Sequence, residues 1–294
     1  MKVGFVNIVG RPNVGKSTLM NSMLNIKLAI TSNKVGTTRN IINGIYNDED
    51  SQIIFVDTPG IHKPKSKLDN VLNKKSFNSF DNIDLVLLLI DAKTGVGKED
   101  RYIIDRLDKE IPTFLVLNKI DRVTKEELMK KIDTYKDIFP FKEIIPISAL
   151  NNNNLEELKK VIKEYLPDGE VIFTDDELTN VSSRFIASET VREKILKLTE
   201  KEVPHTVSCY TEEFVEEEGL INISVLIAVD RDNLKKIIIG KNGSMLKKIG
   251  SYARSDLEKF FGKKVYLKTY VKTLENWRDR EKYLLELGII ENNE

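Results

Sequence analysis

Cysteine is almost missing from this chain, with one residue, Cys209, in 294. A lone thiol excludes an internal disulfide framework and suits a reducing cytoplasm. Cys209 falls in an expected strand, which makes it a buried structural thiol and not a nucleophile. Long apolar runs are missing as well. The most apolar stretch, Leu85–Ile90, is far shorter than the roughly twenty residues that a membrane-spanning helix needs. Met1–Asn7 leads directly into an expected strand, without the apolar core or cleavage site of a signal peptide. Net charge is absent too: Lys+Arg and Asp+Glu number 46 each, so the overall balance points to no polyanionic partner. No internal repeat or low-complexity tract is present. What remains, 40% hydrophobic and 31% charged, is the profile of a globular chain long enough for about two domains.

Residues 1–166 alternate short apolar runs with longer amphipathic ones, the pattern of βα units around a mostly parallel six-stranded sheet. Strands are expected at Val3–Val9, Ile41–Tyr46, Gln52–Val56, Leu85–Asp91, Thr113–Asn118 and Glu143–Ile147. Leu85–Ile90 is apolar throughout, as suits a strand covered on both faces. Leu155, Leu158, Val161, Ile162 and Tyr165 recur at helical spacing and stop before Pro167. Residues 167–181 contain Asp168, Glu170, Asp175, Asp176 and Glu177 and no basic residue, which reads as an acidic linker. Residues 182–273 change to an α+β order: a helix at Ser182–Thr199, strands at Thr206–Phe214 and Leu220–Val229, two helices around Gly240–Gly243, and a strand at Lys263–Val271. Leu274–Leu287, with the only tryptophan, Trp277, reads as a terminal helix within a 274–294 tail.

The chemistry is concentrated in a few motifs. Gly10, Arg11, Pro12, Asn13, Val14, Gly15, Lys16 and Ser17 fit G-x-x-x-x-G-K-[ST], between an expected strand and a helix that continues with Thr18. The glycines let backbone N–H groups turn to phosphate oxygens, and the helix N-terminus favours negative charge. Lys16 is placed for the β- and γ-phosphates and Ser17 for Mg²⁺. Asp57, Thr58, Pro59 and Gly60 end a strand, where Asp57 can hold Mg²⁺ through water and the Gly60 N–H can sense a γ-phosphate. Asn118, Lys119, Ile120 and Asp121 lie at another strand's carboxyl end, where ligands of open α/β sheets collect. The Asp121 carboxylate can accept both N–H groups on the edge of guanine, a pair that adenine lacks. Ser148, Ala149 and Leu150 follow the last strand, with the Ala149 N–H available to guanine O6.

Together these motifs resemble the translation-factor-related GTPases over the whole first domain. The resemblance implies that Thr37-Thr38-Arg39 is switch I. Spacing does not choose between the threonines; likeness to GTPases with the same triplet favours Thr38 as the one that closes over Mg²⁺ and γ-phosphate. Where Ras-like enzymes carry a water-orienting Gln after the switch II glycine, this chain has Ile61. It therefore resembles GTPases with a hydrophobic residue there, in several of which an asparagine at the position of Asn13 helps bind K⁺. Asn13 is thus a candidate K⁺ ligand, and Lys16, Thr38, Gly60 and Asn13 form the expected catalytic set. His62 reads as a solvated switch histidine, because positioning and charge stabilisation dominate phosphoryl transfer.

The zero net charge conceals a segregation. Residues 231–274 hold twelve Lys or Arg against three Asp or Glu, the footprint of a nucleic-acid binder. Within them lie Ile237, Ile238, Ile239, Gly240, Lys241, Asn242, Gly243 and Ser244. A Gly-x-x-Gly between helices brings backbone close to an extended nucleotide chain, with Lys241, Lys247 and Lys248 near phosphates and isoleucines offered to unstacked bases. Helix, two strands, helix, Gly-x-x-Gly, helix and strand resemble a type II KH domain, which binds single-stranded RNA. Asn242 departs from the second glycine common inside that loop, but both flanking glycines remain.

A GTPase domain followed by such a KH domain resembles a bacterial family of ribosome-associated GTPases. That resemblance implies binding near the 3′ end of small-subunit ribosomal RNA, a role in assembling the small subunit, and a cytoplasmic location with some attachment to the inner face of the plasma membrane. The chain is expected to act as a monomer that alternates between GTP and GDP. Two other functions compete: a metabolic P-loop phosphotransferase, disfavoured by Asn118–Asp121, and a membrane-signalling GTPase whose basic face meets anionic lipid, for which no lipidation motif is present.

Overall fold

The computed structural model describes residues 1–34, 36–64, 66–80, 82–174 and 177–290. Its contacts divide the chain into two compact units: Met1–Ala29, Thr38–Pro64 and Leu72–Asn180 form one, and Ile30–Thr37, Lys65–Val71 and Val181–Glu294 the other.

Through residue 180 the elements run β1 (Lys2–Val9), α1 (Lys16–Leu24), β2 (Ile42–Asn47), β3 (Ser51–Asp57), α2 (Lys67–Asn78), β4 (Leu85–Asp91), α3 (Lys98–Ile104), β5 (Thr113–Asn118), α4 (Lys125–Tyr135), β6 (Glu143–Pro146) and α5 (Leu155–Tyr165). The sheet order is β2-β3-β1-β4-β5-β6. Only β2 is antiparallel to its neighbour, β3. Every residue of β3, β4 and β5 is buried, so these strands are covered on both faces and need no polar alternation. The parallel strands end together at Val9, Asp57, Asp91, Asn118 and Pro146, and that edge carries the polar motifs. The acidic stretch after α5 runs along the same unit. Gly169 N–H donates to Met1 O, Ile45 N–H to Leu178 O, and the N–H groups of Ile172 and Phe173 both reach Gln52 Oε1. Asp175 and Asp176 of that stretch lie outside the described residues.

The second unit continues with α6 (Ser183–Leu198), α7 (Val203–Thr206), β7 (Ser208–Glu217), β8 (Leu220–Val229), α8 (Asp232–Ile239), α9 (Ser244–Phe261), β9 (Lys264–Thr273) and α10 (Glu281–Glu286). Its sheet has the order β7-β8-β9, antiparallel then parallel. Alternate residues of β8, Ile221, Ile223, Val225, Ile227 and Val229, join Val191 and Ile195 of α6, Ile238 of α8 and Ile249, Ala253 and Leu257 of α9 in one core. Cys209 is buried in that core, as its strand position predicted.

The terminal helix expected over Leu274–Leu287 is not continuous. Asn276 is left-handed (φ 54°), a 3-10 turn covers Trp277–Asp279, and α10 is only Glu281–Glu286. Trp277 explains the break. Its indole is fully buried and its Nε1 donates to Thr206 O at 2.7 Å, and the chain bends to seat a ring whose one polar atom needs a partner.

Candidate functional site: a phosphate loop and the strand ends around it

After β1 the chain turns through Gly10 and enters α1 from Gly15, whose φ of 105° is open to glycine. Space is also exhausted there: a Cβ on Gly15 would lie 2.3 Å from Asn118 Nδ2, and one on Gly10 2.6 Å from Leu89 O. No side chain caps α1, so its first N–H groups are left for an anion. Lys16 Nζ is buried beneath the loop and donates to Gly10 O at 2.9 Å and Arg11 O at 3.1 Å. The Arg11 side chain is tied to Thr94 and lies 3.4 Å from Asp100 Oδ2, and Val14 is core. Thr18, the third residue of α1, is half-buried.

Three oxygens from separate segments converge beside Lys16. Ser17 Oγ donates to Asp57 Oδ2 at 2.7 Å and lies 2.8 Å from Thr38 Oγ1, which is itself 3.5 Å from Asp57 Oδ2. Thr37 turns elsewhere, its hydroxyl donating to Lys34 O at 2.7 Å. The geometry therefore separates two threonines that spacing could not. Burial pushes Asp57 up to about 6, outweighing the attraction of Lys16 and the bonds from Ser17 and Thr38. Burial also holds Lys16 down to about 8, against the pull of Asp57. Asp57 Oδ1 is buried without a hydrogen-bond partner. An orphaned carboxylate oxygen beside two hydroxyls fits a hydrated divalent cation, a donor set of hard oxygens.

Beyond Asp57, the Thr58 hydroxyl donates to Ile8 O at 3.0 Å and Pro59 O accepts from Ser76 at 2.9 Å. Gly60 lies against the phosphate loop: a Cβ there would come 2.9 Å from Pro12 N and Cα. Ile61 is fully buried, so its side chain cannot orient water. His62 is half-buried with Nδ1 3.0 Å from Gly60 O, a local tie that leaves the ring partly open to solvent.

Asn118 joins three loops. Its Nδ2 donates to Val14 O at 2.8 Å, and its Oδ1 accepts from the N–H groups of Lys119 (2.8 Å) and Ala149 (3.0 Å). The Ala149 N–H, expected at guanine O6, is thus already shared with Asn118. Lys119 Nζ reaches Asn13 O at 2.6 Å and Asp91 Oδ2 at 2.8 Å, and Asn13 is left-handed with φ 65°. Asp121 stays partly exposed with Oδ1 held by the Ser148 hydroxyl at 2.6 Å, while Ile120 packs on the core and Leu150 is 72% exposed. Sequence reasoning missed Asp91. Burial raises its pKa, but the Lys119 ammonium and the Lys93 N–H outweigh that and hold the carboxyl below its usual range. The signal was available, since Asp91 ends the most apolar strand.

In the second unit, Gly240 (φ 71°) and Gly243 (φ 76°) bracket a turn between α8 and α9, with Lys241, Asn242, Ser244, Lys247 and Lys248 exposed. The three isoleucines part company: Ile237 is half-exposed, Ile239 packs at the core margin, and Ile238 is fully buried. Ile238 was expected to face RNA, and its place in the core removes it from that surface. Helical periodicity is the cause, because consecutive residues face different sides of α8.

Two family models match this chain: a 50S ribosome-binding GTPase over residues 5–119 and a KH domain over residues 202–278. GTPase Era of Clostridium kluyveri is 49% identical over 98% of this chain and 99% of its own length. A structure of Era in complex with MgGDPNP and nucleotides 1506–1542 of 16S ribosomal RNA superposes with a TM-score of 0.95 at 42% identity, covering 99% of this chain and 100% of that one. A single-substitution variant of Aquifex aeolicus Era bound to GDP and AlF4⁻ matches with the same TM-score, identity and coverage. The chain belongs to the GTPase Era family, a GTP hydrolase carrying a KH domain.

Proposed function

We propose that this GTPase is a switch that binds single-stranded RNA near the 3′ end of small-subunit ribosomal RNA and serves small-subunit assembly. The main support is the relative solved with MgGDPNP and 16S ribosomal RNA, similar along the full chain, joined to the exposed Gly240–Gly243 turn in this one. In this reading Lys16 and the N-terminus of α1 hold the β- and γ-phosphates, and Asp121 reads guanine. Ser17 and Thr38 are direct Mg²⁺ ligands and Asp57 a ligand through water. When bound, Mg²⁺ neutralises charge on the phosphate oxygens. Thr38 and Gly60 change position with the γ-phosphate, and Ile61 leaves water positioning to backbone. Asn13 contributes to K⁺ binding in place of an arginine finger; equal hydrolysis rates in K⁺ and Na⁺ at one ionic strength would remove that part.

The decisive experiment measures RNA affinity with GDP and with a GTP analogue. A difference is expected, since a nucleotide shifts the equilibrium only as far as RNA distinguishes the two states. Gly240→Asp with Gly243→Asp should weaken RNA binding while sparing intrinsic hydrolysis. Retained affinity in that folded variant would put the RNA elsewhere. The finer reading places the protein in the cytoplasm with peripheral contact to the plasma membrane, tested by vesicle flotation. Among the described residues no helix is long and apolar enough to cross a membrane.

A further inference from the structure

Strand β9 is an edge strand, and its two faces differ sharply. Val265 and Val271 belong to the core and Leu267 packs against it. The intervening residues face away from the helices in strict alternation: Lys264, Tyr266, Lys268, Tyr270 and Lys272. Their partners across β8 are Leu220, Asn222, Ser224, Leu226 and Ala228, the face opposite the β8 core residues. Along a strand, residues two apart are separated by about 6.6 Å, so each tyrosine stands between ammonium groups rooted about that far on either side.

Tyr266 is 62% exposed, and all three lysines are exposed. None of these lysines enters an ion pair among the described residues; Lys263, on the other face, pairs with Glu216. The Tyr270 hydroxyl is bonded to Glu212. The other acidic groups on this face lie on β7, with Glu213 opposite Ser224 and Glu217 opposite Leu220, so neutral β8 stands between those two and the lysines, while Glu212 alone reaches across it to Tyr270. The polarity therefore directs a polyanion along β9 instead of across the sheet. Edge lysines also protect a strand from pairing with another chain. That role needs charge alone and gives no reason to expose a large aromatic ring between the charges.

We propose that the outward face of β9 is a second RNA-binding surface, on which lysines 264, 268 and 272, rooted about 13 Å apart, meet phosphates of a single strand and Tyr266 stacks with a base. Cationic grooves interleaved with aromatic rings bind single strands with little sequence preference. This surface lies on the sheet face opposite the helices that carry the Gly240–Gly243 turn, so it would hold a different stretch of the same RNA. The proposal rests on the reading that this unit binds RNA.

The test uses the full chain and two unstructured RNAs, one of about six nucleotides, enough for the roughly four that a Gly-x-x-Gly loop clamps, and one of about 25. The combined variant Lys264→Gln, Lys268→Gln, Lys272→Gln should leave the short RNA unaffected. It should weaken the long one and reduce the slope of log affinity against log salt by about 2, since each single-strand phosphate contact contributes about 0.7. Tyr266→Ser should weaken the long RNA about tenfold, in the range for one stacked base, and Tyr266→Phe should restore it. Unchanged affinity and slope with the long RNA would overturn the proposal. So would equal losses with both RNAs, or a loss confined to phosphatidylserine vesicles. Failure of the underlying reading has a different signature: Gly240→Asp with Gly243→Asp would then leave the short RNA bound.

Discussion

Asn118→Ala is the substitution whose consequence is most completely set by the geometry. Asn118 is 2% exposed and makes three hydrogen bonds, to Val14 O and to the N–H groups of Lys119 and Ala149. The Val14 and Ala149 bonds are buried and the Lys119 bond is partly so. Alanine leaves two buried backbone groups without partners, each costing about 1–3 kcal/mol. Water entering the polar hole recovers a part of this. The expected loss is about 3 kcal/mol for the nucleotide-free protein, which in a unit of this size lowers its melting temperature by about 6–12 °C. Nucleotide must then also order a phosphate loop that Asn118 no longer holds. If half of the loss falls on binding, guanine nucleotide affinity drops by about tenfold. Calorimetry is the right assay, because it follows the unfolding of the first unit directly, whereas the only tryptophan, Trp277, belongs to the second. Asn118→Asp provides the contrast. It keeps an acceptor for both N–H groups but faces Val14 O with a carboxylate in place of a donor. A melting shift under about 2 °C for Asn118→Ala, with unchanged nucleotide affinity, would refute the view that this side chain joins the loops.

Three further outcomes follow from the same site. Asp121→Asn should move preference from guanine to xanthine nucleotides, because the amide donates where the carboxylate only accepts; competition of GTP and XTP for binding checks this. Thr38→Ala should lower Mg²⁺-dependent hydrolysis by at least about tenfold while Thr37→Ala changes it little, since only the Thr38 hydroxyl meets Ser17 and Asp57. Equal effects would reject the assignment. In chelator without nucleotide, Asp57→Asn should stabilise the protein at pH 8. The ionised carboxylate is disfavoured on folding, its pKa rising from 3.8 to about 6, which costs up to about 3 kcal/mol above pH 6 and vanishes as pH falls towards 4. A stability gap independent of pH between 4.5 and 8 would contradict that origin.

How far the sequence reached depended on how local each signal was. Leu85–Asp91, Thr113–Asn118 and Leu220–Val229 were predicted with the bounds observed, because apolar runs bordered by polar turns carry their own limits. Each motif of the nucleotide site was legible one by one, since each depends on its own backbone turn. Their joining was not. The bonds of Asn118 to Val14 and Ala149 and the Asp91–Lys119–Asn13 chain link residues up to 106 positions apart, beyond the reach of any local pattern. The same limit hid the fate of Ile237, Ile238 and Ile239, identical in sequence and distinguished only by which side of α8 meets the sheet. It hid the break before α10, where a single buried indole overrides helical spacing. The alternation of lysine and tyrosine on β9 is the opposite case. It was written openly in Lys264–Lys272, yet it acquired meaning only when the fold assigned its odd positions to the core and left its even positions facing outward.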